Sequence, residues 1–165
     1  MEGPRVKGYS RTQIALHWAV ALLILFNLLF SDAMSELLEQ IEKTGPTPTT
    51  TGAWAHIIVG VAVLAFVAWR LVLRFSRGVP HAPAGTKPLL KLAGDAGHVA
   101  LYALMIAMPV TGLLAFYGGI EDLGEVHGEV LKLLLWVLIA VHVAAAFFHH
   151  FFLKDGLLNR MRKAG

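Results

Sequence analysis

The sequence predicts an all-α membrane protein, a bundle of four transmembrane helices that takes up residues 1–165 as a single domain. The first observation is composition: 56% of the residues are hydrophobic, 15% are charged and the mean hydropathy is +0.64, values outside the usual range for a soluble domain. The second is four apolar stretches, each close to the ~20 residues that cross ~30 Å of hydrocarbon. The third is that the segments between them leave no room for a separate soluble domain.

The four predicted spans cover residues 14–30, 53–73, 97–117 and 130–153. The first follows a basic N-terminus, as a cleaved signal peptide would, but it lacks a small-x-small cleavage site and contains His17 and Asn27. We therefore interpret it as a true span. The next segment, 31–52, begins with a helical pattern that a Gly45-Pro46 pair interrupts, which predicts a short interfacial helix. Segment 76–88 is rich in proline and glycine and predicts a loop.

Charged residues divide the connecting segments into two sets. The segments before the first span, between the second and third, and after the fourth are basic, with Arg5, Lys7, Arg11, Arg70, Arg74, Arg77, Lys87, Lys91, Lys154, Arg160, Arg162 and Lys163. The other two are acidic, with Asp32, Glu36, Glu39, Glu42, Glu121, Asp122, Glu125 and Glu129. The positive-inside rule therefore predicts that both termini are cytoplasmic. Attraction to lipid headgroups explains the basic residues, so we expect membrane lipid and no nucleic acid as a partner.

Several histidines lie in the apolar stretches, where transfer of an imidazole into lipid costs free energy. Five of the eight fall inside or at the ends of the apolar stretches: His17, His56, His98, His142 and His149. Each needs a partner in lipid. The absence of cysteine excludes thiolate-bound haem, iron–sulfur clusters and covalent c-type haem. Inward histidines on apolar helices therefore predict b-type haem held by imidazole alone, and a protein that carries electrons.

Depth in the membrane sorts these histidines into pairs. His56 and His127 lie near the outer, acidic surface and would hold an outer haem. His127 and His142 are fifteen residues apart, about 22 Å along the fourth span, so this helix can serve two stacked haems. For the inner haem, depth leaves His142 and His149 open as partners of His17, and the tighter spacing between haems favours His142. His98 and the remaining His149 would then form a pair of non-ligands below it.

Other residues near the predicted haems have two interpretations. Gly60, Ala21 and Ala146 each follow a candidate ligand by one turn, which either leaves space for a porphyrin or serves ordinary helix packing. Arg70 and Arg74 are most simply positive-inside residues, and contact with haem propionates or a quinone pocket is the alternative.

Four strings in order along the chain resemble the bacterial cytochrome b561 family, over essentially all 165 residues. They are Leu16-His17-Trp18; His56-x-x-x-Gly60 followed by Trp69-Arg70; His98 with Leu101-Tyr102 and Pro109-x-Thr111-Gly112; and His142-Val143-Ala144-Ala145-Ala146 leading to His149-His150 and Lys154-Asp155-Gly156.

The resemblance implies two haems b in a protein of the bacterial inner membrane. One haem would be held by His17 and His142 and the other by His56 and His127, with His98 and His149 contacting ubiquinone. Since the family includes a superoxide oxidase, the resemblance also implies an oxidoreductase that takes electrons from superoxide at the outer face and reduces ubiquinone.

Two features depart from the family pattern. The spacing from His127 to His142 is one residue longer, so we expect an extra or loosened turn at the start of the fourth helix. The outer segments are acidic, whereas a site that collects an anionic radical is expected to be positive.

Two other classes of function are consistent with the sequence. The chain could be the membrane cytochrome subunit of a dehydrogenase or hydrogenase, with a basic redox partner on its acidic surface. It could also be a non-haem metal or proton conductor built from histidines.

Overall fold

The computed structural model describes residues 8–83 and 85–165 and has four helices long and apolar enough to cross a membrane. In order, the helices are α1 (Arg11–Leu29), α2 (Asp32–Thr44), α3 (Thr51–Arg77), α4 (Pro88–Gly118) and α5 (Glu121–Leu153), followed by a 3-10 turn at Leu158–Met161. No strand occurs within those two ranges. The predicted all-α fold with four spans is confirmed, while Arg5 and Lys7 of the predicted basic segment lie outside the described residues.

Local sequence signals explain where the first helices begin and end. Ser10 and Gln13 form a capping box at α1, with each side chain bonded to the other's backbone N–H. Thr50 caps α3 by accepting from the Ala53 N–H at 3.2 Å. The predicted interfacial helix is confirmed as α2, which ends at Gly45, where a φ of 83° favours glycine.

The third and fourth predicted spans correspond to α4 and α5, and each of these helices begins nine residues earlier than predicted. The predicted bounds followed hydrophobicity, whereas the α4 backbone continues past the apolar stretch to Pro88. Proline fits the first turn of a helix because that position needs no N–H. Likewise α5 starts at Glu121, in the acidic segment.

Helix α5 changes geometry twice along its length. Residues Glu121–Glu125 and Lys132–Phe148 are α-helical, whereas Val126–Leu131 and His149–Leu153 form π-helical turns. The loosened turn expected at the start of this helix is therefore present, and it contains His127. Directly after the second π turn, Lys154 adopts the left-handed conformation, with φ 51°.

In the bundle, α1 packs against α3, α3 against α4, and α4 against α5, while α2 lies on α3. The core is small and consists of Val20, Ile24, Leu28, Val63, Val67, Met105 and Leu135. Most other large apolar side chains point outward, as expected of helices solvated by lipid. Between α1 and α5 the backbones make at most slight contact.

The two ends of the bundle differ in charge. The acidic end comprises α2, the start of α3, the end of α4 and the start of α5. The basic end comprises the start of α1, the end of α3, the start of α4 and the segment after α5.

Candidate haem sites

Near the acidic end, the structure brings His56 of α3 and His127 of α5 together, with ring centres 6.1 Å apart. The His127 ring is held by its Nδ1, which lies 2.8 Å from the Met108 carbonyl oxygen. Thr111 Oγ1 lies 3.4 Å from the same nitrogen. An Nδ1–H donated to a carbonyl leaves Nε2 free as an acceptor, which is the usual state of a metal-binding histidine.

Gly112 of α4 makes room for this ring. A Cβ added at Gly112 would lie 3.0 Å from His127 Cε1 and 3.1 Å from Nδ1, too close for ordinary contact. Sequence reasoning did not single out this role, although Thr111-Gly112 is part of the family strings.

On the α3 side, His56 has an unsatisfied nitrogen. Among the residues that the structure describes, neither its buried Nδ1 nor the buried Oδ1 of Asn27 has a hydrogen-bond partner. Asn27 Nδ2 donates to the His56 carbonyl oxygen at 3.1 Å, and a Cβ added at Gly60 would lie 3.6 Å from this nitrogen, an ordinary contact. Buried polar atoms without partners are rare, and metal binding with its supporting contacts is one way to satisfy an imidazole.

Deeper toward the basic end, His142 of α5 lies between two other histidines. Its ring centre is 6.2 Å from that of His17 on α1 and 5.7 Å from that of His98 on α4. Arg70 of α3 places Nη2 3.2 Å from His17 Nδ1.

His149 has a different partner, Asp155. Its Nδ1 lies 2.5 Å from one carboxylate oxygen of Asp155, and the other oxygen accepts from the Leu157 N–H at 3.0 Å. The left-handed Lys154 turns the chain back and makes this pairing possible. Partial burial raises the pKa of Asp155, but these hydrogen bonds outweigh it and hold the pKa of this carboxyl below its ordinary value. Asp155 is therefore ionised at neutral pH.

The spacing within each pair suits an iron bound between two imidazoles. A metal–imidazole bond is about 2 Å long and the ring centre lies about 1 Å behind the nitrogen, so rings on opposite sides of one metal have centres about 6 Å apart. The pairs His56/His127 and His17/His142 meet this spacing. Within residues 8–83 and 85–165, no group of three or more His, Asp or Glu side chains is arranged to hold a metal ion. Haem requires two protein ligands, because the porphyrin supplies the other four ligands of the iron.

Comparison with known proteins identifies the family of this chain. The family model for prokaryotic cytochrome b561 matches residues 8–164. The chain belongs to the prokaryotic cytochrome b561 family. Members of this family bind haem b, typically two haems per chain. The chain is therefore an electron-transfer protein of a bacterial membrane, which it crosses several times.

Three relatives cover nearly the full length of this cytochrome b561 chain. Cytochrome b562 of Cereibacter sphaeroides is 36% identical over 156 residues, 94% of this chain and 96% of the relative. A probable superoxide oxidase CybB of Yersinia pestis is 25% identical over 178 aligned residues, with 94% and 96% covered. Cytochrome b561 homolog 1 of Escherichia coli K12 is 27% identical over 173, with 93% and 96% covered.

Proposed function

We propose that the protein carries electrons across the bacterial inner membrane from superoxide at its acidic end to ubiquinone at its basic end. The main support is the presence of two separate histidine pairs, one nearer each end of the bundle. Within each pair, the two ring centres lie about 6 Å apart. His56 and His127 would hold the outer haem b, and His17 and His142 the inner one. The positive-inside rule supports a cytoplasmic basic end, with both termini on that side.

The overall chemistry is balanced by two donors for each acceptor. Two superoxide anions lose one electron each and become two O₂ molecules, while ubiquinone takes up two electrons and two protons to become ubiquinol. Haem iron between two imidazoles supplies one-electron exchange without an open coordination position. The name of the Yersinia pestis relative, a probable superoxide oxidase, supports superoxide as the donor.

Protons for ubiquinol would come from the basic end. His149 is oriented by its Nδ1–Asp155 bond, which leaves the other ring nitrogen, Nε2, for a quinone oxygen. Asp155 holds His149 in place, while His98 contacts the quinone from α4. Imidazole suits this task because it titrates near neutral pH.

Substitution of the ligands tests the haem assignment. His17→Ala and His142→Ala should deplete one spectral component, while His56→Ala and His127→Ala deplete the other. The matched control is His150→Ala, since His150 belongs to neither pair and packs on Phe151. The measurement is the reduced-minus-oxidised absorption spectrum with the ratio of haem to protein. One haem per chain, or loss of the inner haem in His149→Ala, would contradict the assignment.

Rapid mixing tests the donor and the acceptor separately. Pulses of superoxide should reduce the haems and ubiquinone should reoxidise them. The variants His98→Gln, His149→Gln and Asp155→Asn should slow reoxidation about a hundredfold or more while the spectrum stays intact, as is typical for the loss of a general acid–base group. Asp32→Asn at the acidic end is the control and should leave reoxidation unchanged.

A second function is favoured by the charge of the acidic end. Its carboxylates on α2 and α5 are exposed and would suit a basic redox protein, so the chain would serve as the membrane subunit of a dehydrogenase or hydrogenase. If superoxide fails to reduce the haems at any salt concentration while ubiquinol reduces them readily, this function replaces the superoxide proposal.

A further inference from the structure

Two arginines of α3 face the interior of the bundle rather than the membrane surface. Arg70 follows the fully buried Val67 by three residues and Arg74 follows it by seven, so both lie on the helix face that the core occupies. Both are partly shielded, whereas Arg77, on the last turn, is exposed. Attraction to lipid headgroups therefore explains Arg77. It does not explain why Arg70 and Arg74 face the interior of the bundle.

The contacts of these two arginines leave their charges unbalanced. The Arg70 guanidinium lies 5.6 Å from the centre of the Tyr102 ring, and that of Arg74 lies 6.0 Å from the same ring. An aromatic face attracts a cation but carries no net charge. Among residues 8–83 and 85–165, no carboxylate forms a salt bridge with either arginine. Two like charges inside a membrane protein are costly unless an anion joins them.

The contact between Arg70 and His17 indicates which chemistry the anion has. A histidine that binds a metal through Nε2 carries its proton on Nδ1 and donates there. Arg70 lies 3.2 Å from that Nδ1 and can only donate. When His17 is a ligand, Arg70 must therefore bond to another acceptor. A carboxylate matches the guanidinium with two parallel hydrogen bonds.

On the basis of the proposed haem ligation by His17 and His142, we propose that Arg70 and Arg74 form the binding site for the propionate carboxylates of that haem. The Tyr102 ring lies against both guanidiniums and holds them together. Because reduction removes one positive charge from the iron, nearby cations favour the reduced form and raise the midpoint potential of this haem. The haem held by His56 and His127 lies at the other end of the bundle and is outside their reach.

Redox titration of the purified holoprotein tests this site. Arg70→Gln should lower the midpoint potential of one haem, the one that His142→Ala removes. We expect the ratio of reduced to oxidised haem at a fixed potential to fall about tenfold, equivalent to about 59 mV for one electron. Arg70→Lys keeps the charge but loses the paired hydrogen bonds, so its shift should be smaller. Arg77→Gln, on the same helix and exposed, is the control and should leave both potentials unchanged.

Haem absorbance reports on the ligation by His17 and His142, whereas the midpoint potential reports on the two arginines. A wild-type protein without haem absorbance would overturn the haem ligation itself. Two normal haems whose potentials do not respond to Arg70→Gln, or which respond equally, would overturn only the carboxylate site. If Arg70→Gln does not retain the inner haem, Arg74→Gln decides: a lowered potential of that haem alone supports the site, and an unchanged potential overturns it.

Discussion

Gly112 is the residue that most tightly limits the position of a candidate ligand. A side chain there would meet the His127 ring at 3.0 Å. Gly112→Ala should therefore lower the occupancy of the haem assigned to His56 and His127, and Gly112→Val should remove it. The measurement is the amplitude of that haem's component in the absorption spectrum.

Gly97 provides the matched control on the same helix. No atom of the described part of the chain lies within 4 Å of a Cβ added there. Gly97→Ala should keep both haems, since alanine is favoured over glycine inside a helix by about 1 kcal/mol. Equal loss of haem in Gly97→Ala and Gly112→Ala would show that the effect is on α4 as a whole rather than on the His127 ring.

At the residue scale, the sequence was sufficient to nominate the histidines but not their partners. A histidine inside an apolar stretch is conspicuous, because imidazole in lipid needs a reason. The packing of helices against one another determines the other contacts, namely those of the Met108 carbonyl, the space at Gly112 and the Asn27–His56 contact. The residue pattern within one helix does not predict how that helix packs. Asp155 is similar: its sequence position suggests a charged end, and only the left-handed turn at Lys154 brings it to His149.

The π turn in α5 explains how a longer spacing still presents His127 to His56. In an ideal α-helix, fifteen residues leave His127 about 60° out of line with His142. A π turn holds one more residue than an α turn, so the residues beyond it keep nearly the direction they would have without the extra one. We therefore predict that deletion of Glu129, inside the π segment Val126–Leu131, leaves both haems bound.

A second deletion supplies the comparison. Val137 lies exposed in the α-helical part of α5. Its deletion should rotate the start of α5 by about 100° relative to His142 and abolish the haem assigned to His56 and His127. Haem content per chain distinguishes the two variants. If both deletions cost the same haem, the π turn does not absorb the extra residue.

At the element scale, the existence of all four spans and of α2 was predictable, and their bounds were less so. Hydrophobicity marks the part of a helix that lies in hydrocarbon. The helix itself continues until its backbone hydrogen bonding is interrupted, as at Pro88 and at Gly119, where φ is 65°. The loosened turn was predictable only by reference to the spacing of related proteins.

The charge separation of the whole molecule makes a prediction about its donor. The acidic end should repel an anionic radical, and salt screens this repulsion because the Debye length falls from about 30 Å at 0.01 M to about 10 Å at 0.1 M. The rate of haem reduction by superoxide should therefore rise with ionic strength. Stopped-flow measurement on wild type and on a variant with Glu36, Glu39 and Glu42 changed to Gln tests this, and the variant should show a weaker dependence.

A rate that falls with salt in this experiment would mean that superoxide is attracted to a positive local surface. A cationic one-electron donor serves as the control, since its rate should fall as salt increases.

At the scale of the whole molecule, the fold class was predictable because composition alone separates a membrane bundle from a soluble domain. The slight contact between α1 and α5 was not, since it depends on how the helices pack against one another.

The unequal lengths of the helices have a mechanical consequence. Helix α1 has 19 residues, enough for about 28 Å, whereas α5 has 33 and spans about 49 Å. Long helices adapt to a thicker bilayer by tilting less, but α1 has no length to spare. Hydrophobic mismatch should therefore strain the contact between His17 and His142 before that between His56 and His127. In liposomes of increasing acyl-chain length, the spectrum of one haem should change first, so lipid thickness would tune one redox centre and spare the other.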